Sequence, residues 1–462
     1  MPADFNHLTI PGRPSWGRWD PIVTTTLFHW FTPTDGNLRG HWTPLEGRQN
    51  WTGEKAFWVS QIKQIMRANI DLVYVHLINR FEQQRINFFA ALHELRKQGW
   101  DVPQVAPFLD PFGIWPPTTL DVSTREGKDD VASIYIRWFQ QYFDACPDPL
   151  AETYLARIDH KQALLTWWAW CIWENLSSFH RDDLETRLRT ALEHRTANFN
   201  AGIHMVSTAL IDPDIGFADE RVFMFSGFGY CIQTVHNTVH SFHVQGGYWD
   251  QNIRRPGFFL PRAGGRPYRN AWEYVLSCTP VHRIYVESWN EYDEGSGIFA
   301  ADPSGPANLA PDFPDDVWSA TGDPLEYIKI TADGAARFNK LPENDARVIA
   351  HDLPRWMTPG EAREVRVVVR NQGNGLWNEA RRSAFALRES EFGSACAPIV
   401  DAQNECGFYG GVFRGRPVNL RFRVTAPQTP GEYLTVWSMR HGESEWFGEA
   451  LEVPIIVSRQ AP

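Results

Sequence analysis

No window of this 462-residue chain approaches the roughly 18 uninterrupted apolar residues of a membrane-spanning helix, so a membrane protein is not expected. Basic residues are in deficit. With 44 Lys and Arg against 55 Asp and Glu the net charge is -11, and a phosphate backbone needs a basic face to release counterions, so nucleic acid is excluded as a partner. Six cysteines are too few for a disulfide scaffold. Cys146, Cys171, Cys231 and Cys278 fall in segments that read as core and are expected to be buried thiols. Cys396 and Cys406 flank a short polar loop and could close it, which would imply an oxidising compartment.

Motifs are also missing. A Gly-x-Ser-x-Gly elbow, a phosphate loop, an HExxH helix and a GxGxxG turn after the first strand are all absent, so serine hydrolase, kinase, zinc protease and open dinucleotide-binding readings lose their usual support. No cofactor is called for. His236, His240 and His243 have a spacing that could suggest a metal, but no helix presents them on one face, and structural histidines are expected instead. The start, Met1 to His7, shows no basic region followed by an apolar one. Either a cytoplasmic protein or one whose leader has been removed is compatible with that, with an extracytoplasmic location favoured.

What is present is alternation. From residue 24 to 340, short runs rich in β-branched and aromatic residues alternate with stretches of helical period, the signature of βα units. Eight strands are predicted: Thr24–Phe31, Leu72–Ile78, Gln104–Leu109, Ala163–Trp170, Ile203–Thr208, Val222–Phe228, Ser241–Gly246 and Arg283–Trp289. Helices are predicted at Gly53–Arg67, Phe81–Gln98, Lys128–Ala145, Arg181–Asn198 and Tyr268–Ser277. Eight is the closing number, so a (β/α)8 TIM barrel is expected over residues 1–342. Beyond Pro342 the texture changes to short alternating strands, such as Glu364–Arg370, Asn419–Val424 and Tyr433–Ser438, with turns at Thr358-Pro359-Gly360 and Thr429-Pro430-Gly431. Residues 343–462 are therefore expected to form an all-β sandwich.

In such barrels reacting groups sit at the C-terminal ends of the strands. The candidates there are Trp30, His76, Asp110, Trp168, Trp170, Tyr248, Asp250 and the run Glu287-Ser288-Trp289-Asn290-Glu291-Tyr292-Asp293-Glu294-Gly295. That run holds four carboxylates in eight residues where an apolar strand gives way to a glycine-bearing loop. Crowded carboxylates repel, so one should keep its proton near neutrality while another stays ionised, the division that glycosidic-bond cleavage requires. Glu291 and Glu294 can converge on one point if the loop curls, and are the expected catalytic pair. Glu287, as a strand residue, and Asp293 are expected to support them, and Trp289, Asn290 and Tyr292 to help bind substrate. The 21 Trp, 29 Phe and 13 Tyr are mostly core fillers, but those at strand ends could stack on sugars.

The run from Ser288 to Gly295 resembles the end of the eighth barrel strand in glycoside hydrolase family 99, the endo-alpha-mannosidase family, and its relatives in polysaccharide gene clusters. His41-Trp42, Gly246-Gly247-Tyr248-Trp249-Asp250 and Arg266-Pro267-Tyr268-Arg269-Asn270-Ala271-Trp272 are similar in the same sense. The segment at Gly246 lacks the proline common in that family, and Asp110 stands where its members more often carry glutamate. The resemblance implies that Glu294 is a general acid, and that Glu291 deprotonates the sugar 2-hydroxyl, whose attack on C1 gives an epoxide-like intermediate and net retention. It implies a retaining, endo-acting hydrolase of a polysaccharide or oligosaccharide; a non-catalytic carbohydrate-binding or assembly protein, or an inverting glycosidase, is the alternative. The segments Met357-Thr358-Pro359-Gly360-Glu361 and Arg370-Asn371-Gln372-Gly373, with Trp377, resemble the immunoglobulin-like domains of next-to-BRCA1-type proteins, implying an accessory sandwich.

Overall fold

The computed structural model describes residues 14–35, 38–110, 119–145, 149–167, 173–208, 218–224, 227–304, 316–393, 396–400 and 411–460. Two compact units emerge, one of Gly12–Glu94 with Pro103–Asn339, the other including Leu95–Val102 and Lys340–Pro462.

The first unit is built on one mixed sheet. Its strands are β1 (Ile22–Leu27), β2 (Leu72–Leu77), β3 (Gln104–Leu109), β4 (Lys161–Trp167), β5 (Ile203–Thr208), β6 (Glu220–Val222), β7 (Cys231–His236), β8 (Val239–Gln245) and β9 (Arg283–Glu287). Along the main path their spatial order is β7-β8-β9-β1-β2-β3-β4-β5-β6, every neighbouring pair parallel except β7 with β8, and a short tenth strand at Arg157–Ile158 pairs antiparallel with β4. Strands such as Ile22-Val-Thr-Thr-Thr-Leu are buried along their whole length, as parallel strands covered on both faces must be. Helices α1 (Lys55–Arg67), α2 (Glu82–Lys97), α3 (Arg125–Asp144), α4 (Arg181–Leu192), α5 (Arg266–Ser277) and α6 (Glu326–Phe338) alternate with them. Eight parallel strands in cyclic order make a nearly closed TIM barrel.

The sheet departs from the expected eight strands at two places, the short strand Arg157–Ile158 beside β4 and the region of the sixth strand. The sixth strand was expected at Val222–Phe228, but it is the shorter Glu220–Val222, and an extra antiparallel strand, β7, follows it. A tight turn joins β7 to β8 through Asn237 and Thr238, both at positive φ (49° and 66°), the conformation that suits a two-residue hairpin. Side chains bridge β6 and the hairpin: the Phe223 N–H donates to Thr234 Oγ1 at 3.0 Å. Helix α6 was not expected either, because Gly334 interrupts its pattern with a poor helix former.

Inward-facing residues at the N-terminal end of the barrel form a buried polar knot. Glu220, wholly buried, accepts from Tyr285 Oη (2.7 Å) and Ser241 Oγ (3.0 Å), and lies 3.2 Å from Arg283 Nε and 3.4 Å from His204 Nε2. Burial alone would raise its pKa, but Arg283, then His204 and Tyr285, outweigh that and hold it at about 2. The carboxylate therefore stays charged, and its contribution to stability is lost only as pH falls from the ordinary glutamate range towards that value.

The second unit contains two sheets. One has the order β10 (Ala346–His351), β12 (Ala362–Asn371), β15 (Pro417–Thr425); the other β11 (Trp356–Met357), β17 (Glu445–Val457), β16 (Gly431–His441), β13 (Ser383–Glu389), β14 (Cys396–Pro398). Val365, Val367, Leu420 and Phe422 of the first share one core with Phe385, Trp437, Met439 and Val453 of the second. The three strands read from sequence lie inside β12, β15 and β16. Cys396, on β14, is an exposed free thiol near the Arg440 guanidinium rather than half of a bridge, and Cys406 lies outside the described residues. Cys231 and Cys278 are half-buried free thiols, less enclosed than expected, while Cys146 and Cys171 lie outside the described residues. Among the described residues no helix is long and apolar enough to cross a membrane.

Replacing Glu220 by Gln leaves the Arg283 charge buried without its counter-ion, which should lower unfolding stability by about 3–5 kcal/mol. Chemical denaturation checks this, and combining it with Arg283→Met should recover part of the loss.

Candidate active site

The acidic run begins where β9 ends. Past Glu287 the backbone folds into a turn over Tyr292–Gly295, which Ser288 Oγ pins by accepting the Glu291 N–H at 2.6 Å. Gly295 closes the turn at φ 62°, and a side chain there would press on the Trp249 backbone 3.2 Å away. The Trp249 N–H in turn donates to the Glu294 carbonyl at 2.8 Å. One turn of chain separates Glu291 from Glu294, and both carboxyl groups reach the same cavity.

That cavity has a volume of about 350 Å³ and opens at the C-terminal ends of the strands. Its walls carry five acidic side chains, Asp110, Asp250, Glu287, Glu291 and Glu294, one cation, Arg254, and an apolar set including Phe28, Phe108, Trp167, Met224 and Phe258. Arg254 donates to Glu294 at 2.6 Å, to Asp250 at 2.8 Å and to the Tyr248 hydroxyl at 3.0 Å. Asp250 is wholly buried; its other contacts are the Tyr248 Oη–H (3.0 Å) and the Phe258 N–H (2.6 Å). Glu287 stands 2.6 Å from His243 Nε2, and Asp110 stands 3.0 Å from His76 Nε2.

The two glutamates are set apart electrostatically. Burial raises Glu291 well above the ordinary carboxylate range, and the charges of Glu294, Asp293, Asp110 and Glu287 raise it further. Burial also lifts Glu294, to about 7, although the Arg254 charge pulls it back. Asp293 rises to about 6 through burial, opposed by the Arg39 N–H that its carboxylate accepts at 2.7 Å. Burial and the surrounding acids thus favour a proton on Glu291, whereas the Arg254 charge favours ionisation of Glu294.

Not every residue expected at the site reaches it. Asp110, Tyr248, Asp250, Glu287, Glu291 and Glu294 line the cavity. Trp30 and His76 stand behind the wall, ring to ring at 4.3 Å, with His76 held neutral by burial. Trp289 turns into the core, where its indole N–H donates to Gln61 at 3.1 Å. Asn290 clamps Phe28 of the chain leaving β1, donating to its carbonyl and accepting from its N–H. Tyr292 packs among Phe31, Trp51 and Phe299. These three shape the turn from behind. Trp168 and Trp170 lie outside the described residues; Trp167 is a wall residue, since Thr166 beside it is turned outward to the Tyr135 hydroxyl. Arg254 was not anticipated, although its spacing of four from Asp250 is a recognisable ion-pair signal. His236, His240 and His243 sit on the β7–β8 hairpin, and among the described residues no group of three or more His, Cys, Asp or Glu is arranged to hold a metal ion.

No protein-family model matches the chain, and no curated protein does. Among solved structures, the chain is similar to the GH99 endo-alpha-mannosidase from Bacteroides thetaiotaomicron, with a TM-score of 0.51 at 15% identity, over 70% of this chain and 98% of that one. The same organism's GH99 endo-alpha-mannosidase in complex with bis-tris propane gives 0.48 at 15% identity, over 69% and 97%. At that identity the likeness is one of fold, and it agrees with the nearly closed barrel described above.

Proposed function

We propose that this protein is a retaining, endo-acting glycoside hydrolase of a polysaccharide or oligosaccharide, using Glu291 and Glu294 and no cofactor. One observation carries the reading: two glutamates one turn apart share a cavity at the C-terminal mouth of a barrel, where burial raises both and their charged neighbours, acids around Glu291 and Arg254 beside Glu294, set them apart. The likeness in fold to a protein described as an endo-alpha-mannosidase supports the substrate class.

In this reading Glu291 takes the proton of the sugar 2-hydroxyl as O2 attacks C1, and Glu294 gives its proton to the departing glycosidic oxygen. Water, deprotonated by Glu294, then opens the epoxide at C1, and O2 recovers its proton from Glu291. Two inversions give net retention. Backside attack needs the 2-hydroxyl trans to the leaving group, which suits an α-mannoside and not an α-glucoside. The second unit is an accessory immunoglobulin-like sandwich in this proposal.

The ion pair favours a second assignment within the same chemistry. Glu294 is held by Arg254 and Glu291 is the more strongly protonated member, the reverse of the roles above. Either substrate draws Arg254 away from Glu294, which raises its proton affinity, or Glu291 is the acid and Glu294 the base.

Incubation with a polysaccharide panel, following the anomer of the first product by NMR, tests catalysis, substrate and stereochemistry together. Retained configuration from an α-mannan is the expected result; saturable binding without product would place the chain among carbohydrate-binding proteins. Glu291→Gln and Glu294→Gln should each lower kcat by about 10²–10⁴-fold. A dinitrophenyl glycoside, whose leaving group needs no proton, should restore bond cleavage to Glu294→Gln alone; restoration in Glu291→Gln instead would establish the reversed roles.

Arg254 lowers the proton affinity of Glu294, so Arg254→Met should move the alkaline limb of the pH–rate profile upward. A limb that stays in place or moves down would remove Glu294 as the titrating acid. Stability should respond in the opposite sense to activity. A carboxyl whose pKa is raised on folding loses stability as pH climbs from the unfolded value to the folded one. Glu291→Gln should therefore exceed the wild type in Tm by a margin that widens as pH climbs above the ordinary glutamate range in thermal scans.

A further inference from the structure

Two phenylalanines beside the cavity are far more exposed than apolar rings usually are. Phe228 is 58% exposed and Phe258 is 45% exposed. Singly, such residues need no explanation. These two pack on one another, with centroids 5.9 Å apart and planes inclined by 36°, and Phe223 meets Phe228 edge-on at 6.4 Å. Phe258 also belongs to the cavity wall that holds Glu294, so the apolar ledge is continuous with the candidate active site.

The ledge is built rather than incidental. Gly227 has φ 95°, and a Cβ there would lie 2.9 Å from the Cβ of Phe258, so only glycine lets the two loops close on each other. The Phe258 N–H is bound by Asp250 Oδ1 at 2.6 Å, and the other oxygen of that carboxylate holds Arg254 and Tyr248. The backbone that carries the ring is thus held before any ligand arrives, which reduces the ordering cost of binding.

We infer that Phe228 and Phe258 form a stacking subsite for a sugar ring of the same glycan chain, one unit or more outside the cavity. The inference rests on the glycoside hydrolase reading above. A pyranose has an apolar face of C–H groups whose positive edge complements the negative face of a phenyl ring, while its hydroxyls remain in water. A polymer threaded through the cavity has to leave across its rim, and this ledge is an apolar part of that rim. Such a subsite makes the enzyme prefer long chains to short ones, as endo action requires.

The test is a ladder of α-linked manno-oligosaccharides of increasing length, with kcat/KM measured on each rung. Phe228→Ala, which removes a ring outside the cavity wall, should reduce kcat/KM on the long rungs by roughly tenfold, about 1.4 kcal/mol, and leave the shortest cleaved rung unchanged. Phe228→Trp should restore the preference. An equal loss on every rung, or no loss on the long ones, overturns the subsite while the hydrolase reading stands. A wild type inert on every rung removes the α-mannoside substrate and the subsite as argued for it, while the polysaccharide panel separately decides the hydrolase reading.

Discussion

The mutual repulsion of carboxylates in a poorly solvated cavity is the constraint around which this end of the barrel is arranged. Among the described residues, five acidic side chains share one cavity of about 350 Å³ with a single wall cation. Two like charges 4 Å apart at an effective dielectric near 20 repel by about 4 kcal/mol, a cost no folded chain carries at several pairs without compensation. Compensation comes in two forms. Arg254 bridges Glu294 and Asp250 and offsets part of their charge, and the raised pKa of Glu291 favours a proton within the cluster. The surrounding turn, with its Ser288 pin and its glycine, holds the acids close despite their repulsion.

The other end of the barrel shows what the same side chain does when fully compensated. Glu220 is at least as deeply buried as Glu291, yet it is ionised, because Arg283, His204, Tyr285 and Ser241 all face it. Glu291 has four acidic neighbours instead, and its pKa moves the opposite way. Environment, not residue type or depth, decides the sign. The two glutamates mark an end of the barrel where charges compensate one another and an end where they repel.

Much of this was legible in the sequence for reasons that can be named. Parallel barrel strands are apolar along their whole length, so Leu72–Leu77 and Gln104–Leu109 stand out with nearly correct limits. The acidic run stands out because such crowding is rare beside an apolar strand. What was illegible depended on pairing or direction. The hairpin strand β7 alternates weakly and turns on Asn237-Thr238, without the glycine that usually marks such a turn. Trp289, Asn290 and Tyr292 adjoin the acids in sequence but point behind the turn, because the chain leaves the strand after Glu287 and the two-residue alternation of a strand no longer applies. Arg254 comes from a separate loop, so no local pattern connects it to Glu294.

Asp250 ties these parts together. One of its oxygens fixes the Phe258 backbone and the other fixes Arg254, so the rim that would receive a distant sugar and the cation that governs Glu294 are held by one carboxylate. A glycan resting on the rim could not shift that loop without disturbing Arg254, and a change in the hold of Arg254 on Glu294 alters where the shared proton lies. If Glu294 is the acid, it gains proton affinity when Arg254 is drawn aside, and the carboxylate that holds Arg254 also holds the rim. Chain length and acid strength would then be coupled through a residue that takes no part in bond making.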